Sequence, residues 1–279
     1  MVTISPKRLN HMNLVLESYE GAKAHLQAKF DAEIVAEVPK AEYSALLFAT
    51  GSVLFEAFVP SVWLLNARYG PHIVGVEYQA DMDTVVAAVK ERRMRIIRES
   101  RYEKDLAGNP GYALHTHPAD GFGVSFEFYH DDFHTWNWPG LGQITPVAGW
   151  ADHPLGHAGQ KGYTHVVSDI AAASRFLQGF LGATEAYTAE RPEIGARAIG
   201  LRIADVTVEL QTPTGPGLIA DHHSRYGDGI RAVLFGVRDL AAARQHLEGR
   251  GLPMVQGSLP GSIAIKPEAN LGIIFEFME

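Results

Sequence analysis

The chain has 279 residues, 46% hydrophobic and 20% charged, a composition that builds packed domains rather than disordered tracts. Its formal net charge of −8 argues against nucleic acid and anionic membranes, leaving a small-molecule substrate or other proteins as partners. The lack of cysteine excludes disulfides, zinc–thiolate centres and thiol nucleophiles, and no leader-like or membrane-length apolar run is present, so a cytoplasmic protein is expected.

Taken in chain order, the sequence repeats itself. The first quarter opens on Asn10-His11-Met12-Asn13-Leu14-Val15. A helix follows, with Tyr19, Ala22, Leu26 and Phe30 at helical spacing, and the quarter closes on a strand over Ser52–Val59. The second opens after Arg68-Tyr69-Gly70-Pro71-His72-Ile73, continues with a helix carrying Val85, Val86 and Val89, and closes on Gly123–Tyr129. Residues 131–160 show no period and many Pro and Gly. They include Trp136, Trp138 and Trp150, too much apolar surface for a floppy linker, so an ordered connection is predicted.

The third quarter starts at Thr164-His165-Val166-Val167 and predicts a helix with Ala173, Phe176, Leu177 and Phe180, opened by Asp169 and closed near Gly182. Its last strand covers Val206–Leu210. The fourth begins after Arg225-Tyr226-Gly227-Asp228-Gly229-Ile230, an echo of the second. Its helix carries Leu240, Ala243 and Leu247 between Asp239 and Gly249 or Gly251, and its last strand is Ile273–Phe277. The run GFGVSFEFY (121–129) is matched by NLGIIFEFM (270–278). The reading is an α+β protein of four βαβββ modules: an N-terminal domain over 1–130, the connection 131–160 and a C-terminal domain over 161–279.

Each last strand carries a glutamate inside an apolar run: Glu56, Glu127, Glu209 and Glu276. A buried carboxylate without a partner costs several kcal/mol, although a strand residue can also point outward. The same modules open with His11, His72 and His165, whereas the fourth has Gly229 at that position. Two imidazoles with one or two carboxylates suit Zn, Ni, Co, Mn or Fe(II).

These residues resemble the vicinal-oxygen-chelate superfamily, which includes glyoxalase I, methylmalonyl-CoA epimerase, fosfomycin-resistance proteins and extradiol dioxygenases. The segment 168–183 is similar to its strand-to-helix signature, and SVLFEAF…RYGPHIVGVEY to the middle of glyoxalase I and epimerase sequences. Two stretches, ALHTHPADGFGVSFEF and IAIKPEANLGIIFEF, resemble its closing hairpin. The resemblance implies half-barrel cups, with metal positions at His11, Glu56, His72 and Glu127 in the N-terminal half. In the C-terminal half it points to His165, Glu209 and Glu276, and Gly229 breaks that set. If modules pair crosswise instead of locally, the full set becomes His72, Glu127, His165 and Glu209. The long connection favours local pairing.

The implied activity is a metal-dependent isomerase, epimerase or lyase acting on a small oxygenated substrate through an enolate, with Glu56 as the ligand that detaches to act as base. Two other readings are an Fe(II) ring-cleaving dioxygenase and a non-catalytic binding protein. A homodimer is compatible with either enzyme. His115 and His117 share one face of a predicted strand and either line the cup or, the reading favoured here, are solvated or stand behind the ligands; His222-His223 are expected to lie exposed in a polar connection.

Overall fold

The computed structural model describes residues 1–39, 44–59, 70–105 and 108–279; Arg68 and Tyr69 of the first RYG copy lie outside them. The first module consists of β1 (Arg8–Val15), α1 (Tyr19–Phe30), β2 (Glu33–Pro39), β3 (Ser44–Thr50) and β4 (Val53–Val59). The second has β5 (His72–Gln79), α2 (Met82–Glu91), β6 (Ile96–Tyr102), β7 (Gly111–Thr116) and β8 (Ser125–Tyr129). The third has β9 (His157–Val166), α3 (Ile170–Leu181), β10 (Thr184–Arg191), β11 (Ala196–Ile203) and β12 (Val206–Pro213). After α4 (Leu218–Tyr226), the fourth has β13 (Gly229–Val237), α5 (Leu240–Gly249), β14 (Met254–Gln256), β15 (Ile263–Ile265) and β16 (Ile274–Met278). The predicted α+β repeat of four βαβββ modules is therefore present.

In hydrogen-bonding order, every module runs first, fourth, third, second strand, as in β1-β4-β3-β2 and β5-β8-β7-β6. This order sets the glutamate-bearing strand beside the one that opens the module. In the second module, β5 and β8 run parallel with Glu77 opposite Glu127; in the fourth, β13 and β16 place Leu234 opposite Glu276.

The helices form where capping and apolar spacing coincide. The side chains of Ser18, Asp81, Asp169 and Asp239 accept backbone N–H bonds from the first turns of α1, α2, α3 and α5. Helix α3 ends at Gly182 in the left-handed conformation, as its sequence predicts. The apolar faces go inward: Ala22, Leu26 and Phe30 on α1, and Ala173, Leu177 and Phe180 on α3, are buried. Helix α4 corrects the expectation of an exposed polar connection. His222 and His223 lie on it half-buried, and His223 Nε2 is 2.9 Å from Asp228.

Two compact units emerge, and they cut across the halves of the sequence. The first comprises Met1–Met12, Val74–His134 and Tyr163–Arg231; the second comprises Asn13–Ile73, Thr135–Gly162 and Ala232–Glu279. Within the first, Phe180 of α3 packs edge-on against Phe126 and Phe128 of β8, with ring centroids 5.9 Å apart in both pairs. Within the second, Phe275 of β16 meets Phe30 at 5.3 Å and Phe55 at 5.2 Å. Each fully buried phenylalanine contributes about 1.5–3 kcal/mol of transfer free energy. Backbone pairing joins modules differently. Lys7 N–H donates to Gln79 O within the first unit, and Arg238 N–H donates to Gly156 O within the second.

The closing hairpins repeat down to the backbone. Phe122-Gly123 and Leu271-Gly272 all have positive φ, each pair four residues after the proline that starts a short 3-10 turn. A Cβ on Gly123 would collide with Asp228 O, and one on Gly272 with the Pro71 ring. Glycine is required at both for conformation and for space. In the connection, Trp136, Trp138 and Trp150 are buried, and the first two rings are 5.0 Å apart.

Candidate metal centre

Glu127 sits in the middle of β8, opposite Glu77 on β5 and opposite His115 on β7. Directly paired residues share a face of the sheet, so three ionisable side chains line up across three strands. His115 Nε2 is 3.0 Å from Glu127 Oε1. His11, from β1, brings Nε2 to 3.6 Å from Glu127 Oε2 and Nδ1 to 3.8 Å from Glu77 Oε1. All four residues are buried. Burial pushes the Glu127 carboxyl pKa up, but His115 and His11 outweigh it and hold the group well below the usual carboxylate range.

Within the first unit, His11 and His115 thus bring imidazole nitrogens to one carboxylate, that of Glu127. Glu56 is half-buried on β4, opposite Leu47 of β3. Imidazoles beside a buried carboxylate, whose uncompensated negative charge would be costly, form a donor set that fits a divalent cation. His72 stands outside that group. It is half-buried at the start of β5, with Nδ1 2.8 Å from Gly70 O and its pKa lowered by burial despite that bond.

His115, for which the sequence left open a solvated place, one behind the ligands or one lining the cup, is buried against Glu127. One residue beside the centre escaped the sequence reading. Glu77, inside the apolar run Val76-Glu77-Tyr78, carries the same signal as Glu56 and Glu127 but stands on an opening strand. His117 instead caps a short 3-10 turn, its Nδ1 accepting from Ala119 N–H.

The corresponding C-terminal positions are taken up by the protein itself. His165 Nε2 donates to Phe122 O at 2.7 Å, and burial pushes its pKa down to about 4. Glu209 accepts from Tyr187 Oη at 2.6 Å, Arg191 Nη2 at 3.0 Å and Gln211 Nε2 at 2.9 Å. Glu276 accepts from the N–H groups of Ser258 and Leu259 and from the hydroxyls of Ser258 and Ser262, at 2.6–3.0 Å. The second ligand-like group, Asp31, His153 and His246, is a surface network with a resident cation, since Arg250 bonds both Asp31 oxygens.

No helix among the described residues is long and apolar enough to cross a membrane. Residues 155–259 match the model of the Glyoxalase/Bleomycin resistance protein/Dioxygenase superfamily. A search of curated proteins finds no match. Among solved structures, a triple mutant of 4-hydroxymandelate synthase from Streptomyces coelicolor aligns with a TM-score of 0.75 at 14% identity, over 98% of this chain and 92% of that one. The Mn(II)-bound glyoxalase from Novosphingobium aromaticivorans aligns with a TM-score of 0.66 at 13% identity, over 98% of this chain and 82% of that one. Residues 155–259 thus match that superfamily's model, and the chain shares the fold of these two structures over nearly its whole length.

Proposed function

We propose that this protein is a metal-dependent isomerase or lyase of the glyoxalase and epimerase type, with its ion held by His11, Glu127 and Glu56 and with His72 as the fourth ligand. The observation that supports the reading is the buried Glu127 carboxylate set between His115 Nε2 at 3.0 Å and His11 Nε2 at 3.6 Å. A divalent ion at that point supplies Lewis-acid stabilisation of negative charge developing on substrate oxygens. Zn, Ni, Co, Mn and Fe(II) all suit the donors.

The chain's own residues divide the remaining work. Glu127, buried between two histidines and kept ionised by them, acts as a fixed anionic ligand. Glu56 is the one carboxylate of the group that is not fully buried, so substrate can reach it. It takes the carbon-bound proton and returns it to the product. His72 enters the centre through Nε2, because its Nδ1 proton is engaged by Gly70 O.

A ring-cleaving Fe(II) dioxygenase is the second reading. Glu56 speaks against it, because a fourth ligand beyond the two-histidine, one-carboxylate triad of such enzymes leaves fewer open positions for oxygen. The deciding experiment is metal analysis of protein purified without chelator, then reconstitution with Zn, Ni, Co, Mn and Fe(II) and turnover in heavy water. One ion per chain and oxygen-independent incorporation of deuterium into product are expected. Protein that stays metal-free with every ion overturns the reading, and strict dependence on Fe(II) with oxygen consumption transfers it to the dioxygenase.

A further inference from the structure

We infer that Glu77 is the positioning residue of the centre: its carboxylate faces His11 Nδ1, fixes the proton there and so turns the Nε2 lone pair toward Glu127 and the ion. The inference rests on the metal-centre reading above. It concerns a residue that the opening strand carries in addition to the ligand pattern, and it follows from what surrounds His11.

The His11 ring lies between two carboxylates. Glu77 Oε1 is 3.8 Å from Nδ1, and Glu127 Oε2 is 3.6 Å from Nε2. A neutral imidazole carries one proton, and whichever nitrogen keeps it cannot ligate. At 3.8 Å the Glu77 contact is electrostatic rather than a hydrogen bond. Glu127, at 3.6 Å from Nε2, offsets that pull until a cation binds beside it. A cation there neutralises Glu127 and repels a proton from Nε2, and the full negative charge of Glu77 in this buried site then holds the proton on Nδ1.

The position of Glu77 is itself enforced. Its Oε1 accepts from Asn10 Nδ2 at 2.8 Å, and the same amide donates to Asp131 O at 2.8 Å. Asn10 Oδ1 accepts the Phe133 N–H at 3.1 Å, and His134 Nε2 donates to Asn10 O at 3.0 Å. The Phe133 ring then stacks on His11, centroids 5.5 Å apart at 26°. Residues 131–134 therefore lock both the amide that holds Glu77 and the open face of the His11 ring. Ligand sites need this kind of support to stay within a few tenths of an ångström of working geometry. For stability alone, an apolar residue inside β5 would serve at lower cost than a carboxylate that is 1% exposed.

The test compares full-length wild type, Glu77→Gln and Glu77→Asp, loaded with Co(II) and competed with a chelator. Glu77→Gln should lose about 10- to 100-fold in Co(II) affinity, the range for a group that orients a ligating histidine. Its visible Co(II) spectrum at saturating metal should shift, which loss of remote charge alone would not cause. Glu77→Asp should restore part of both. Wild-type affinity and spectrum in Glu77→Gln overturn the inference while leaving the centre standing. A wild type that binds no Co(II) fails the metal-centre reading instead. Should Glu77→Gln not fold, Asn10→Ser takes its place: a weakened affinity with a shifted spectrum is expected, and wild-type values overturn the inference.

Discussion

The two halves carry the same strands and nearly the same ligand positions, and they treat them in opposite ways. In the N-terminal half, Glu127 faces two histidines, His11 and His115. In the C-terminal half, Glu209 is neutralised by Arg191 and Tyr187, Glu276 fills a nest of two N–H groups and two hydroxyls, and His165 spends its Nε2 proton on a carbonyl. Buried carboxylates in apolar strands are costly wherever they occur. The repeat meets that cost on one side with donors built into the chain, and on the other it sets Glu127 between two imidazoles, where we propose that an ion binds.

The largest effect expected from this contrast is on stability in the C-terminal half. Arg191→Met leaves Glu209 fully buried without its cation and should destabilise the protein by about 3–5 kcal/mol, read from urea unfolding. Metal affinity should not change. A large loss of metal with little loss of stability would mean that the assignment of the halves is reversed.

Next in size is the loss of a ligand. His11→Ala should weaken metal binding by more than about 100-fold, roughly 3 kcal/mol, beyond the range of indirect effects on ligands. His165→Ala should leave metal affinity where it was, because its Nε2 is engaged by Phe122 O. Chelator competition on both variants separates the outcomes, and depletion by His165→Ala would sink the N-terminal location.

The same substitution at equivalent positions gives a finer comparison. Glu276→Gln keeps an oxygen for the Ser258 and Leu259 N–H groups and presents an amide to the Ser258 hydroxyl, so only charge assistance is lost. A cost of about 1 kcal/mol is expected in unfolding. Glu127→Gln should lower metal affinity instead, since a neutral amide replaces an anionic ligand. Equal effects at the two sites would erase the distinction.

Much of this organisation was legible in the sequence, for identifiable reasons. Asp169 and Gly182 marked both ends of α3, and the alternation around Glu56, Glu127, Glu209 and Glu276 marked four last strands, because capping and strand alternation are local. How modules combine is not local. The opening strands pair within each half, through Lys7 with Gln79 and Arg238 with Gly156, while the aromatic packing joins the second module to the third and the first to the fourth. The two pairing schemes open to the sequence are each used, for different contacts. Glu77 went unassigned, and His115 was left between several places, because their positions follow from register against Glu127, which a single strand does not encode. Helix α4 was missed because its His- and Asp-rich segment, Leu218–Tyr226, buries only Ile219.

A last comparison, read as a slope against pH, separates a histidine held by the fold from one proposed to hold an ion. Burial pushes the pKa of His165 down to about 4, whereas an unfolded histidine titrates near 6.5. Between those values the unfolded chain binds the extra proton and the folded chain does not, so stability rises with pH through that window. The contribution is fully present above about pH 6.5 and is lost as pH falls toward 4. For one such residue the slope is at most about 1 kcal/mol per pH unit. His157, with its pKa also near 4, and His222, near 3, add slopes of the same sign, so the full profile is steeper than His165 alone would give. His165→Gln retains an N–H for Phe122 O but cannot take up a proton, so it should flatten the profile between pH 6.5 and 4 by one histidine's share. Urea unfolding of metal-free wild type and variant across that range measures it. An unchanged slope would mean that His165 is protonated in the folded state, and the carbonyl of Phe122 would then be holding an imidazolium rather than a neutral ring.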